Sequence, residues 1–111
     1  MISVIIPAFN EPYLQRTIDD LLTKASGDIE IIVVLDGYWP SVLLPDYKNV
    51  TVIHRSVQMG MRHAINSAAR LAKGQYLMKC DAHCAFEKGF DVLSQILNLL
   101  RRQFTPEAFF L

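Results

Sequence analysis

The sequence predicts an α/β domain in which helices cover both faces of a mostly parallel sheet. Four short runs, at residues 3–7, 29–35, 50–53 and 76–80, have the length and the apolar, often β-branched composition of strands. The first two are apolar almost throughout, which is typical of strands covered on both faces. Between the runs, apolar residues recur at helical spacing after Pro12 and again after Gly60. Strands interspersed with helices in this way favour a three-layer arrangement.

The first helix is predicted between two turn-forming segments. Residues 8–12 follow the first strand, and Asn10 is expected to cap the helix because its side chain can accept a backbone hydrogen bond. Gly27 ends the helical pattern, as glycine commonly does at a helix C-terminus. The apolar residues of this pattern are Leu14, Ile18, Leu21, Leu22 and Ala25.

The second half of the chain repeats the alternation. A looser segment with Pro40 and Pro45 leads to the strand at 50–53, and the helix after Gly60 ends before Gly74. Small alanines on that helix allow it to lie close to the sheet. A third helix is predicted after the fourth strand from Phe90, Leu93, Ile96, Leu97 and Leu100, and residues 105–111 have the composition of a further strand.

Composition limits the classes of function. The 111 residues suit one domain, 1–111, and the formal net charge of zero gives no general positive field for nucleic acid. Two cysteines four positions apart do not form a disulfide framework, and no secretory leader pattern is present. The apolar runs are shorter than the ~20 residues that span a bilayer. We therefore expect a cytoplasmic protein without a membrane span.

Polar residues follow all four predicted strands at the point where each strand ends. In an open parallel sheet these ends share one edge, and ligands bind in the crevice outside it. The sequence therefore predicts a ligand site there, with chance placement of polar residues in loops as the alternative. The residues are Asn10, Glu11, Asp36, His54, Arg55, Asp81 and His83.

Asp81 and His83 have the chemistry of a metal site. Alternate residues of an extended chain share a face, and a carboxylate with a neutral imidazole can share a divalent metal such as manganese. The chain has neither glycine-rich phosphate motif, so a bound diphosphate would need the metal, Mn²⁺ or Mg²⁺. The alternatives are a capping Asp81 with an ordinary loop His83, or a zinc site with Cys80 and Cys84. A zinc site would lack the usual second pair of ligands, and Cys80 is better explained as a core residue.

Several segments together resemble a known family. Residues 3–11, the strand that ends at Asp36 and Gly37, residues 60–66, the spacing of Ala72 and Gly74, and residues 76–83 resemble the N-terminal half of a GT-A glycosyltransferase of family 2. The resemblance implies a Rossmann-like GT-A sandwich, incomplete in this chain, that binds a nucleotide-diphosphate sugar. UDP is the expected nucleotide, and the acceptor is unknown.

The resemblance also implies roles for residues after the first two strands. Pro7, Ala8 and Glu11 would border the nucleoside, and Asp36 would accept a hydrogen bond from the base. At a strand end a carboxylate can stay solvated, so we expect Asp36 to contribute little to the stability of the fold.

Further roles fall on the second helix and the fourth strand. Arg62 or His63 would supply the basic residue that the family often carries near the start of this helix. Asp81 and His83 would occupy the position of the metal motif, in an Asp-x-His version similar to that of the polypeptide N-acetylgalactosaminyltransferases.

The chain departs from the family after Asp36, where Tyr38, Trp39 and Pro40 replace the usual acid or Ser-x-Asp turn. The aromatic pair would either stack on a base or pack under the loop. No residue after His83 is a convincing catalytic base, so the donor half of the enzyme is expected without the acceptor half.

Two alternatives stay open from the sequence: a noncatalytic nucleotide-binding or assembly module with the same fold, and a nucleotidyltransferase-like enzyme. A sheet that ends early would expose an edge, so we expect a homo-oligomer joined through residues 97–111.

Overall fold

The computed structural model describes residues 1–40 and 44–80. The described elements, in chain order, are strand β1 (Ile2–Ala8), helix α1 (Leu14–Lys24), strands β2 (Ile29–Asp36) and β3 (Val50–Arg55), helix α2 (Met61–Leu71) and strand β4 (Tyr76–Lys79). The predicted third helix, the metal motif at Asp81 and His83, and the proposed oligomer surface at 97–111 lie outside the described residues.

The four strands form one sheet in the order β3-β2-β1-β4, and every described pairing is parallel. β1 is central, because Ile2 pairs with Ile29 of β2 on one side and with Tyr76 of β4 on the other. The predicted parallel α/β architecture is confirmed. Since parallel strands place their C-terminal ends together, all four described strands end at the same edge of the sheet.

Within the described residues, one helix packs on each face of the sheet. Val4 and Ile6 of β1 pack with Ile18 and Leu21 of α1 in one buried cluster. On the opposite face, Ile5 and residues of β2 pack against α2. A fully buried side chain of this size stabilises the fold by about 1.5–3 kcal/mol relative to an exposed one. The two clusters confirm a three-layer arrangement.

The contact of α2 with the sheet depends on small residues, as the sequence predicted. Ala64 and Ala68 are fully buried, and they pack against Ile32 and Val34 of β2. A larger side chain at either alanine would push the helix away from the strand, because the interior is closely packed.

The start of α1 differs from the prediction. Tyr13, and not Asn10, occupies the N-cap position, and it makes no side-chain capping bond. Asn10 adopts a left-handed conformation, with φ 49°, which asparagine tolerates better than most residues. Three residues therefore separate Asn10 from the start of the helix at Leu14. Within this segment, the backbone N–H of Tyr13 donates to Glu11 Oε1 at 3.1 Å.

The turn between α2 and β4 is held by a partly buried polar network at the other end of the sheet. Ser3 Oγ accepts from the Gly74 N–H at 2.8 Å and donates to Glu30 Oε1 at 2.7 Å. A Cβ at position 74 would lie 2.6 Å from Ser3 Oγ. Glycine is therefore required by this close approach, which gives the Ala72 and Gly74 spacing a structural reason.

No helix in the described ranges has the length and apolarity to cross a membrane.

Candidate functional site

The C-terminal edge of the sheet brings together the predicted polar residues that follow β1, β2 and β3. Ala8 at the end of β1 pairs with Leu35, and the next residue of β2, Asp36, pairs with Arg55 at the end of β3. On the other side of β1, the N–H of Cys80 donates to the Ile5 carbonyl at 2.9 Å. β4 therefore runs beside β1 as far as the residue before Asp81.

Asp36 is buried at this edge, with only 4% of its surface exposed. Its two carboxylate oxygens accept hydrogen bonds from the backbone N–H groups of Met59 and Gly60, each at 2.9 Å. The expectation of a solvated carboxylate was wrong. The segment that leads into α2 folds back over the strand end, and its donors at the start of the helix need an acceptor. A charged acceptor meets that need better than a neutral one.

Residues 56–60, which we call the β3–α2 loop, are also held by Gly37. We call the contacts of Asp36 and Gly37 with this loop the clamp. The Gly37 N–H donates to the Arg55 carbonyl at 3.0 Å, and the Gly37 φ of 81° is in the left-handed region. A Cβ there would lie 2.6 Å from the backbone nitrogen of Gln58. The Asp-Gly pair thus fixes the loop by hydrogen bonds and by close approach.

Arg55 connects the same loop to the body of α2. Its guanidinium donates to the Met59 sulfur at 3.1 Å and also contacts His63 Nδ1 and Ser67 Oγ. Because a guanidinium only donates, His63 Nδ1 is the acceptor in this contact. The sequence had placed Arg55 in the site without finding this structural role, since the pattern shows only that it follows a strand. Arg62 is exposed on α2.

A cleft of about 480 Å³ opens between the β1–α1 loop and the segment after β2. Its lining includes Asn10, Glu11 and Gln15 from the first segment and Tyr38 and Trp39 from the second. Ligand pockets commonly have about 300–1,000 Å³. We call it the edge cleft.

Tyr38 and Trp39 have different environments. Tyr38 packs against the core cluster and meets Phe9 edge to face, with ring centroids 6.1 Å apart. Burial raises the pKa of its hydroxyl; the nearby Glu11 backbone opposes part of that rise. No described group has hydrogen-bonding geometry to the hydroxyl. The packing alternative therefore holds for Tyr38.

Trp39 instead projects outward, with 63% of its surface exposed. Its ring is stacked on the ring of His54 at a centroid distance of 3.6 Å and an angle of 16°. Sequence reasoning singled out both residues but not their contact, since they lie on different strand ends.

With this geometry established, comparison with known proteins identifies the family. The model of the glycosyl transferase family 2 matches residues 3–105. The chain belongs to glycosyl transferase family 2. It is 34% identical over 84 residues to the uncharacterized glycosyltransferase EpsJ of Bacillus subtilis strain 168, an alignment that covers 69% of the chain and 24% of that protein.

A second relative is the putative polypeptide N-acetylgalactosaminyltransferase 13 of Drosophila melanogaster. It is 33% identical over 107 residues, which cover 80% of the chain and 19% of the relative. This family 2 chain therefore spans about a quarter of the first relative and about a fifth of the second.

Solved structures show that the fold is GT-A. The mannosyltransferase PcManGT from Pyrobaculum calidifontis, in complex with GDP-Man and Mn²⁺, superposes with a TM-score of 0.69 at 22% identity, over 89% of the chain and 32% of that protein. TarS of S. aureus gives a TM-score of 0.67 at 20% identity, over 90% of the chain and 20% of TarS.

The predicted metal motif, Asp81 and His83, lies outside the described residues. Within residues 1–40 and 44–80, no group of three or more His, Cys, Asp or Glu side chains has the arrangement of a metal site. Cys80 is buried in the core cluster, as predicted for a core residue. Asp81 is the next residue in the sequence.

Proposed function

We propose that this family 2 glycosyltransferase chain binds the nucleotide of a UDP-sugar at the C-terminal edge of the sheet through a divalent cation. The transferred group is a hexosyl or N-acetylhexosaminyl residue, and the acceptor is unknown. The observation that carries the proposal is the edge cleft beside the C-terminal ends of β1 and β2, together with the pairing of β4 beside β1 up to the residue before Asp81. The GDP-Man and Mn²⁺ in PcManGT support a cation-dependent nucleotide site. The name of the Drosophila relative supports the N-acetylhexosaminyl type.

The nucleoside is proposed to lie against the loop after β1. Pro7 and Ala8 end β1, and Glu11 lies on the wall of the edge cleft. Asp36 belongs to the same site chiefly as a positioning residue, since its carboxylate holds the β3–α2 loop that borders the strand ends. Arg62, exposed in the first turn of α2, is the cation proposed for the diphosphate.

Asp81 and His83 are proposed to hold Mn²⁺ or Mg²⁺. The residues present fit such an ion, because a carboxylate and an imidazole suit a divalent metal of intermediate softness. The hydrogen bond of Cys80 to Ile5 brings the chain to the correct edge of the sheet for this role. When bound, the cation would neutralise the diphosphate and favour its departure from the sugar.

Calorimetry with UDP tests the proposal. Binding in the presence of Mn²⁺ is expected to weaken at least tenfold, about 1.4 kcal/mol, after chelation and in Asp81→Ala. The matched control is Asp28→Ala, which removes an exposed carboxylate at the opposite end of the sheet and is expected to bind UDP normally. Equal UDP affinity with and without the cation would contradict the proposal.

A second assay separates an enzyme from a binding module. Metal-dependent hydrolysis or transfer of a UDP-sugar is the expected result for an enzyme, whereas tight binding without turnover would favour the noncatalytic alternative. The cytoplasmic location and self-association through residues 97–111 stay predictions, to be checked by fractionation and light scattering.

A further inference from the structure

The burial of Asp36 raises the question of which group recognises the base of the proposed nucleotide. Both carboxylate oxygens already accept backbone hydrogen bonds, and only 4% of the residue is exposed. A base that displaced Met59 N–H or Gly60 N–H would leave a helix-terminal donor without its acceptor. Base recognition therefore needs a group that is accessible at the same edge.

Trp39 is accessible there and is held in place. One face of its indole ring is covered by His54 at 3.6 Å, while 63% of the residue remains exposed at the wall of the edge cleft. A large exposed apolar ring has a hydration cost, and stacking against a ligand would remove it. Because the His54 contact already restricts the ring, binding would cost little further side-chain entropy.

The rest of the cleft has polar groups suited to the edge of a planar heterocycle. Asn10 and Gln15, two exposed residues that also line the cleft, contribute amides, each with donors and an acceptor. The Gln15 amide also hydrogen-bonds the Tyr47 hydroxyl. Nucleobases present both a π-face and an edge of alternating donors and acceptors. An aromatic face beside two amides matches both features.

We propose that Trp39, backed by His54, is the stacking platform for the nucleobase, with Asn10 and Gln15 facing the edge of the base. The inference rests on the proposed function and adds a base-binding residue outside the set implied by family resemblance. When an aromatic side chain that stacks on a base is replaced by alanine, the affinity falls by about fivefold to 150-fold.

Fluorescence provides a direct test, because the chain has one tryptophan. Uridine and UDP, titrated with Mn²⁺ present, are expected to change the emission of Trp39. Pyrophosphate and a hexose 1-phosphate, which have no base, are expected to leave it unchanged. Trp39→Ala should weaken UDP binding at least fivefold by calorimetry, and Trp39→Phe should retain most of the affinity.

The matched control is Tyr13→Ala. Tyr13 is also an exposed aromatic residue, at 53%, but it is not among the residues that line the edge cleft. Its substitution is expected to leave UDP affinity unchanged. Thermal melting of each variant checks that the fold is retained, and the conservative Trp39→Phe keeps the test valid if the alanine variant is unstable.

The outcomes separate this inference from the function on which it rests. If UDP binds with Mn²⁺ while Trp39 emission is unchanged and Trp39→Ala binds equally well, the platform is wrong and the nucleotide site stands. An emission change with hexose 1-phosphate but not with uridine would assign the ring to the sugar and overturn the base assignment. Failure of the wild-type chain to bind any nucleotide would overturn both.

Discussion

Truncation of Asp36 tests whether its carboxylate supports the fold. Asp36→Ala removes the acceptor of two hydrogen bonds, from Met59 N–H and Gly60 N–H, each 2.9 Å long. A hydrogen bond to a charged group contributes about 1.5–3 kcal/mol. Because the two bonds share one carboxylate, their contributions do not simply add. We expect a loss of about 3 kcal/mol in the free energy of unfolding on this principle.

For a domain of this size, ~1 kcal/mol corresponds to about 4 °C in melting temperature. Asp36→Ala is therefore expected to lower the melting temperature by about 12 °C, measured by circular dichroism. Hydrogen exchange gives a local measurement, since the amides of Met59 and Gly60 should lose protection before those of β1. Asp28→Ala is the matched control, because Asp28 is exposed, and it should melt within about 2 °C of the wild type.

The opposite pattern would refute this reasoning. If Asp36→Ala melts like the wild type, retains amide protection at Met59 and Gly60, and loses UDP affinity, the carboxylate is a solvated group that contacts the base directly. That is the behaviour that its position at a strand end predicts from sequence alone.

Two further predictions concern the loops around the site. Gly37 and Gly60 both have positive φ, 81° and 94°, and Gly60 has a ψ of 162°, so alanine costs roughly 1–3 kcal/mol at either position. Of the two, only Gly37 would also place a Cβ against backbone, 2.6 Å from Gln58 N. Urea unfolding should show Gly37→Ala to be the more damaging, and equal losses would contradict the clamp. Tyr47 donates to Asp19 Oδ1 at 2.5 Å, and burial, followed by this bond, raises its pKa to about 12. A tyrosine pKa that is raised in the folded state stabilises the fold below pH ~10, and this contribution is lost as the pH rises through the folded pKa. The difference in unfolding free energy between the wild type and Tyr47→Phe should therefore disappear across this range of pH. A difference that stays constant with pH would contradict the prediction.

The described fold was predictable because its signals are local. β2 contains Ile31, Ile32, Val33 and Val34 in succession, and such a run is stable as a strand only if both faces are covered. Burial of all four residues confirms that reasoning. The alanines of α2 likewise predicted a helix close to the sheet, since spacing and side-chain size are both visible in the sequence.

The environment of the site residues was less predictable because it depends on distant contacts. Asp36 is buried by Met59 and Gly60, which follow it by 23 and 24 positions. A pattern of strands shows that a carboxylate lies at an edge, but it does not show which loop will cover that edge. The prediction that Asn10 caps α1 was wrong for a related reason, because asparagine can either cap a helix or adopt the left-handed conformation that Asn10 has here.

The turn after β2 accounts both for the burial of Asp36, which cannot then contact a base, and for the exposure of Trp39, which can. Gly37 lets the chain turn immediately after Asp36, so that the carboxylate stays under the β3–α2 loop while Tyr38 packs inward and Trp39 projects outward. Recognition at this edge would then rest on stacking more than on charge. Every base has a π-face, so stacking discriminates poorly between bases. Preference for one nucleotide must consequently come from hydrogen bonds at the edge of the base, for which Asn10, which lines the same cleft as Trp39, is the proposed partner.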